Sequence, residues 1–375
     1  HVQQLEIPSP RHKQSRGNKM SFNPVKPGSV ENFIPDSPTN FSLPANQDWL
    51  ENQIVISKSN EEPLILLKIA GKCISEERHL LPCKNIFQPD QGVAHFVAAN
   101  SEDINQAILF LSKSEQTQWD IDGSFRQKTL QKVSIELQNH RAELICTAMK
   151  TIGKGVADLD AEVSEAIDFI NYYPQAMTYF QKNYPHIVFE KKGLVLILSP
   201  WNFPIAIPAG GITAALATGN RVLIKPSPYS LLATWKLVKL FWKAGVPSSA
   251  LQFIPCKDED APLLTQNPKI DQVIFTGSAG TADKILSKRP NLELSGETSG
   301  KNFFIVTDAA DKELAIKQLI DSAFGYNGQK CSAASIAILT HDVYNDPKFK
   351  RQLKDAVESL PVGAHPSQLN NIITP

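Results

Sequence analysis

From residue 193 onward, short apolar runs alternate with longer stretches of helical periodicity. Residues 194–198, 221–224, 251–254 and 272–275 are β-prone runs; a helical stretch at 231–244 lies between two of them, and another at 279–287 follows the last. Strands separated by crossovers of this length predict βαβ units and a parallel sheet, whose ligands sit beyond the carboxyl ends of the strands. Residues 302–306 and 335–339 are further strands, with a helix over 310–324 between them and a last helix over 348–360. Upstream, 103–113 and 126–152 predict helices, the longer one with its apolar stripe at Leu130, Val133, Leu137, Leu144, Ile145 and Met149. A third helix over 161–173 is expected to stop at Pro174. The runs 54–56 and 64–69 suggest strands or edge pieces. Residues 1–50 hold seven of the 26 prolines with little periodicity, and predict a linker or irregular arm.

Composition narrows the function classes. The 375 residues carry 38 basic and 38 acidic side chains, so the formal net charge is zero and no electrostatic footprint for a nucleic acid exists. Five cysteines, an odd number without a Cys-x-x-Cys pair, suit free thiols in a reducing compartment. The polar, basic start has no apolar core and is not a secretory signal, so a cytoplasmic location is expected. No cluster of metal ligands stands out. Residues 193–220 are free of charge over 28 positions, longer than the roughly 20 of a spanning helix. Pro200, Pro204 and Pro208 each cost such a helix about 3 kcal/mol, so the parse is a buried strand, a proline-bearing loop and a helix, and no membrane span.

Several segments at the predicted strand ends carry chemistry. Phe275-Thr276-Gly277-Ser278 stands where a strand gives way to a helix, so backbone N–H groups and the helix dipole would face an anion; a glycine there also serves as a plain turn. Lys225-Pro226-Ser227 ends another strand at the same edge and places a cation and a hydroxyl where a nucleotide ribose would lie, unless the lysine is a solvated surface charge. In Ser199-Pro200-Trp201-Asn202-Phe203-Pro204 an amide is held between prolines, which suits donation to a developing oxyanion and equally suits capping a turn. Glu297, between Gly296 and Gly300 and just after a strand, reads as a general base or as an exposed loop carboxylate. Cys331 follows a helix and a glycine, with Lys330 beside it to favour the thiolate. Cys146 falls on a helix stripe and reads as core; Cys73, Cys83 and Cys256 have no motif.

Taken together in this order, Pro200-Trp201-Asn202-Phe203-Pro204, Gly219-Asn220-Arg221-Val222 running into Lys225-Pro226-Ser227, Phe275-Thr276-Gly277-Ser278, Glu297-Thr298-Ser299-Gly300-Lys301-Asn302 and Gly328-Gln329-Lys330-Cys331 resemble the NAD(P)-dependent aldehyde dehydrogenase superfamily. The spacings fit too: 23 positions from Asn202 to Lys225 and 34 from Glu297 to Cys331. The resemblance covers most of the chain from about residue 85. It implies an α/β fold with a Rossmann-type parallel sheet, an NAD-binding domain over 51–295 and an incomplete catalytic domain over 296–375. It implies Cys331 as nucleophile, Glu297 as the base that activates the hydrolytic water, and Asn202 as oxyanion donor. Ser199, Pro200, Trp201, Lys225, Ser227, Gly277, Ser278 and Thr281 are the implied contacts of NAD, with NADP not excluded.

Within the superfamily, Gly328-Gln329-Lys330-Cys331-Ser332-Ala333, the 297–302 segment and residues 160–169 resemble the L-glutamate γ-semialdehyde (1-pyrroline-5-carboxylate) dehydrogenases, and most of all the dehydrogenase half of bifunctional proline utilisation proteins. Residues 41–46 resemble the connector after their proline dehydrogenase half, which makes an upstream domain of that kind an expectation. The resemblance further implies a small-molecule aldehyde substrate, with Ser332 as a contact to its carboxylate, and a homo-oligomer in the complete protein. A dehydrogenase for another aldehyde, or a nucleotide-binding chain without catalysis, is the alternative.

Three features depart from the family pattern. Position 228 is Pro where many NAD-preferring relatives carry an acid, and Ala282 stands where many complete the phosphate turn with Gly. The chain stops 44 residues past Cys331, before the Glu-x-Phe-Gly-Pro segment and the carboxylate-anchoring loop of the family, so a C-terminally truncated catalytic domain is expected.

Overall fold

In the computed structural model, which describes residues 33–57, 64–74, 78–113 and 116–363, the first helix is α1 (Pro44–Ser57). Short strands follow: β1 (Leu64–Ile65), β2 (Leu67–Ile69), β3 (Lys72–Ile74), β4 (Leu80–Asn85) and β5 (Gln88–Val97). β1, β5 and β4 form one small sheet, and β2 and β3 an antiparallel pair. A helical layer comes next: α2 (Ser101–Lys113), α3 (Gln118–Ile121), α4 (Gly123–Asn139), α5 (Arg141–Ile152) and α6 (Val156–Asn183).

The alternation from residue 193 becomes a five-stranded, all-parallel sheet. Its strands are β6 (Leu194–Leu198), β7 (Arg221–Lys225), β8 (Leu251–Phe253), β9 (Gln272–Gly277) and β10 (Glu293–Thr298), in the order β10-β9-β6-β7-β8. The crossovers carry α7 (Ala206–Ala217), α8 (Leu231–Lys243), α9 (Ala261–Thr265) and α10 (Ala279–Lys288).

Because strand side chains alternate, each strand supplies both faces. Val195, Ile197, Val222 and Ile224 pack with α4 to α8 into one core, while Leu194, Leu196, Leu223 and Val273 pack with α2, α9 and α10 into a second. That is a doubly wound, three-layer α/β arrangement.

β6 begins at a position only glycine fits. Gly193 has φ +125°, and a Cβ there would lie 2.2 Å from Asp271 Oδ2, the atom that accepts the Leu194 N–H at 2.7 Å. Asn220 Oδ1 accepts the Gly193 N–H at 2.9 Å, so side chains bordering two neighbouring strands fix where β6 enters the sheet.

Beyond the sheet, β11 (Asn302–Val306) and β12 (Ala334–Leu339) form a two-stranded parallel pair under α11 (Lys312–Phe324), α12 (His341–Asn345) and α13 (Pro347–Glu358). They share a third, separate core around Val306, Ile316, Val343 and Phe349. The opposite face of the pair leaves Phe303, Ile305, Ile336 and Ile338 exposed.

Several expectations change. Residues 54–56 belong to α1 rather than to a strand, and α1 starts inside the stretch expected to be an irregular arm. That stretch is pinned: Leu50 is fully buried, Thr39 Oγ1 donates to Asp160 Oδ1 at 2.7 Å, and Asp36 pairs with Arg141 at 2.8 Å. Residues 1–32 of the expected arm lie outside the described residues. The single helix expected over 126–152 is two, α4 and α5, because His140 takes φ −106°, ψ 15° and caps α5. Pro174 does not end its helix but sits buried within the 28 residues of α6. Leu159, Val163, Ile167 and Ile170 of α6 are buried in the first core, and such tertiary packing outweighs the roughly 3 kcal/mol a mid-helix proline costs. The boundary expected between residues 295 and 296 falls inside β10.

Candidate active site

The carboxyl edge of the parallel sheet gathers the residues expected to meet a nucleotide. β6 is the point from which the strand order runs one way to β7 and β8 and the other way to β9 and β10, the switch point at which doubly wound sheets bind ligands. Ser199, just past β6, is buried, and its Oγ has no hydrogen-bond partner. Its N–H donates to the Lys225 carbonyl at 3.3 Å, so the two residues sit side by side. A buried hydroxyl left unpaired costs free energy, and a ligand's polar atom at this edge would satisfy it.

Lys225 ends β7 with only 6% of its surface exposed, and its ammonium is paired with Asp258, beyond β8. Ser227 is half-buried, Pro200 is buried and Trp201 is exposed. At the end of β9, Ser278 caps α10, its Oγ accepting the Thr281 N–H at 3.1 Å. The open N-terminus of α10 carries nothing within 4 Å of a Cβ built at Gly280, room for an anion. Gly277 is required for a different reason: a Cβ there would meet the Phe275 ring at 2.5 Å. Ala282 turns into the second core, so its methyl does not intrude on that N-terminus.

Across from this edge lies the Cys331 loop. Asn202 donates from Nδ2 to the Gln329 carbonyl at 2.8 Å, bringing the proline-held amide against the segment that carries the cysteine. Gln329 Nε2 donates to the Ile152 carbonyl at 3.1 Å and Asn327 Nδ2 to the Gly153 carbonyl at 2.6 Å. Tyr326 and Asn327 hold φ of 55° and 57°, a conformation that costs non-glycine residues free energy unless the surroundings impose it.

Cys331 is exposed, and its carbonyl accepts from Asn302 Nδ2 at 2.5 Å. Asn302 begins β11, five residues after Glu297. Glu297 itself lies within β10, opposite Thr276 of β9, and is exposed; it is on an edge strand rather than in the loop after a strand. Thus Cys331 and Asn202 are joined through one loop, and the segment from Glu297 runs into the residue that pins that loop. Ser332 is exposed and lines a depression of about 340 Å³ with Asp158, Tyr326 and Lys330.

Sequence inspection missed the group that holds these loops together. Lys154 and Glu162 form an ion pair at 3.1 Å with both side chains fully buried. The Lys154 ammonium also stands 3.3 Å from the centroid of the Phe203 ring and 5.2 Å from that of Tyr326, whose rings are 5.6 Å apart. Glu162 Oε1 accepts the N–H groups of Ile205 and Ala206 at 2.8 and 3.2 Å, at the entrance of α7. One buried cation therefore touches the residue after Asn202 and the residue five before Cys331. Burial pushes the Glu162 carboxyl up, opposed by Lys154, and pushes the Lys154 ammonium down, opposed by Glu162. The one signal in the sequence was a lysine between two glycines, Gly153-Lys154-Gly155, directly after a helix.

A doubly wound sheet with an orphaned serine, a paired lysine and an open helix N-terminus at its carboxyl edge, joined through Asn202 to a loop that carries an exposed cysteine, defines a nucleotide-binding type of α/β protein. Residues 75–375 match the profile of the aldehyde dehydrogenase family, and the chain belongs to that family. It is 30% identical over 328 residues to the 1-pyrroline-5-carboxylate dehydrogenase of Bacillus cereus, covering 82% of this chain and 63% of that protein. The chain thus spans less than two thirds of the length of such relatives. Among solved structures it resembles proline utilization A from Bdellovibrio bacteriovorus inactivated by N-propargylglycine, with a TM-score of 0.86 and 27% identity over 94% of this chain and 38% of that one. It also resembles the Thermus 1-pyrroline-5-carboxylate dehydrogenase with bound NAD, with a TM-score of 0.83 and 27% identity over 93% of this chain and 70% of that one. Among the described residues, no helix is long and apolar enough to cross a membrane.

Proposed function

We propose that the complete protein oxidises an aldehyde to its carboxylic acid with NAD, and that the aldehyde is L-glutamate γ-semialdehyde, as the names of its relatives suggest. The observation that carries the catalytic part is the Asn202 to Gln329 hydrogen bond, which holds an amide donor against the loop of the exposed Cys331.

In this reading the Cys331 thiolate adds to the aldehyde carbonyl, and the oxyanion that forms is met by the Asn202 Nδ2–H and the Cys331 backbone N–H. When bound, the nicotinamide supplies a hydride acceptor. Collapse of the oxyanion leaves a thioester on Cys331. Glu297 takes a proton from water, which attacks the thioester and frees the thiolate and the acid. The Asn202 amide has two N–H donors, so the one not given to the Gln329 carbonyl is the one that serves the substrate oxygen. Ser199, Lys225, Ser227 and the Gly277 to Thr281 turn hold the nucleotide along the sheet edge, with Pro200 and Trp201 closing the wall beside it. Ser332 and Lys330 meet the substrate carboxylate. We further assign residues 51–295 mainly to nucleotide binding and 296–375 mainly to catalysis, a proline dehydrogenase domain upstream, as in proline utilization A, and a homo-oligomeric assembly for the complete protein.

The test is NADH formation by the complete protein with glutamate γ-semialdehyde, comparing wild type with Cys331→Ala and Glu297→Gln. Loss of all turnover in the first variant, with one round of NADH formation surviving in the second, is the expected pattern. Normal turnover by either variant removes the role given to that residue, and a clear preference for an unrelated aldehyde removes the substrate.

A further inference from the structure

The carboxyl edge of the sheet carries one feature that nucleotide binding alone does not require: the cation at the end of β7 is already neutralised. Lys225 reaches Asp258 across the edge, with the lysine side chain 8% and the aspartate side chain 72% exposed. Asp258 therefore brings a carboxylate in from solvent to a buried ammonium and keeps a face free. The next lysine, Lys257, is likewise paired, to Glu259 at 3.2 Å. Across Lys225, Lys257, Asp258, Glu259 and Asp260 the formal sum is one negative charge. Position 228, just past Lys225, is Pro and offers neither a donor nor a charge.

We infer that Asp258 is the specificity-determining residue for the cofactor, admitting the free ribose hydroxyls of NAD and rejecting the 2′-phosphate of NADP. The inference rests on the nucleotide site proposed above. In doubly wound sheets an acid at the edge accepts from the ribose hydroxyls of NAD, whereas a 2′-phosphate calls for an unpaired cation. Here the acid comes from the turn after β8 rather than from the strand end at β7. Its exposed oxygen can accept from a hydroxyl, a role a phosphate dianion cannot fill because it has no proton to give at neutral pH. The same carboxylate repels that dianion and withholds Lys225 from it, a repulsive device as much as an attractive one. Ser199, the orphaned hydroxyl beside Lys225, marks the same stretch of the edge as the ligand's own.

The alternative role for Asp258 is a pin that merely keeps Lys225 in place. The two are separated by isothermal titration of the complete protein with NAD and with NADP, in wild type, Asp258→Asn and Asp258→Lys, each checked for folding by circular dichroism. The wild type is expected to bind NAD at least ~10-fold more tightly than NADP, the scale of one like-charge contact at a solvated edge. Asp258→Asn should bring the ratio to within about 3-fold, chiefly by gaining NADP affinity, and Asp258→Lys should invert it. A wild-type ratio near one, or variants that weaken both nucleotides in proportion, overturns the inference while leaving the nucleotide site standing. Binding of neither nucleotide by a folded wild-type chain overturns the site itself and the inference with it.

Discussion

Replacing Lys154 by Met tests whether the buried pair is what keeps the loops of Asn202 and Cys331 in register. At 3.1 Å and an effective dielectric of about 20, the attraction between Lys154 and Glu162 is about 5 kcal/mol. Removing both ions from water costs several kcal/mol each, so the pair as a whole adds little net stability. The asymmetry lies in losing one partner. Lys154→Met leaves the Glu162 carboxylate fully buried with only the Ile205 and Ala206 N–H groups as partners, and also removes the cation from the Phe203 face, a contact worth about 2 kcal/mol when desolvated. The expected loss is about 3–5 kcal/mol. Glu162→Leu should cost a similar amount, and the double variant should cost less than the sum of the two by at least about 1 kcal/mol, because neither ion is then left alone. Guanidinium unfolding followed by tryptophan fluorescence reads the stability. The alkylation rate of Cys331 in the folded state reads the register of its loop, which should change in Lys154→Met. A single-variant loss below about 1 kcal/mol, or strict additivity in the double variant, would refute the reasoning.

Other consequences follow from single residues. The Asp168 carboxyl is pushed up to about 6, mainly by burial and further by the Asp36 and Glu165 carboxylates, against the Asp36 N–H and Arg141 that lower it. The folded chain then holds that proton more tightly than the unfolded one, so this group's contribution to stability falls as pH rises from about 4 to about 6. Asp168→Asn, which keeps an oxygen for the Asp36 N–H, should be more stable than wild type above pH 6 by about 1 kcal/mol in denaturant unfolding at this half-exposed site and match it below pH 4; an offset independent of pH contradicts this. Under iodoacetamide at pH 8, Cys73 and Cys331 should label first by peptide mass spectrometry, and the buried Cys83, Cys146 and Cys256 last, with burial pushing the Cys83 and Cys256 thiols up to about 11 and about 12. Labelling of Cys83 ahead of Cys331 would contradict the loop's exposure. Gly193→Ala should cost about 1–3 kcal/mol for its backbone conformation alone, and more where the new Cβ drives Asp271 off the Leu194 N–H; an unchanged melting temperature would show that β6 does not depend on that entry.

How much of this was legible in the sequence depended on whether the signal was local. Strands β6 to β8 were readable because their apolar runs are buried on both faces and bounded by turns, and β9 because its Val273 and Phe275 are buried on one face within a short β-prone run. β10 was not, because Glu-Leu-Ser-Gly-Glu-Thr is polar and pairs only with β9 at the edge of the sheet; in the sequence Glu297 therefore reads as a loop residue. The continuity of α6 through Pro174 and the break at His140 are tertiary effects, since packing along α6 supplies what the missing N–H withdraws. In the site, Asn202 and Cys331 stood out through their motifs, but nothing local announced that Asn202 meets Gln329, 127 residues away. Lys154 and Asp258 were invisible for the same reason. Their meaning comes from Phe203, Glu162 and Lys225, which folding alone brings to them.

The central claim is that aldehyde oxidation runs through a thioester on Cys331. Its most direct test is acid quenching of the complete Glu297→Gln protein after mixing with NAD and glutamate γ-semialdehyde, followed by peptide mass spectrometry. The account predicts an acyl adduct on the Cys331 peptide that forms only when both NAD and aldehyde are present and is absent in the Cys331→Ala background. Formation of NADH with the Cys331 peptide unmodified, or an adduct on another cysteine, would contradict it.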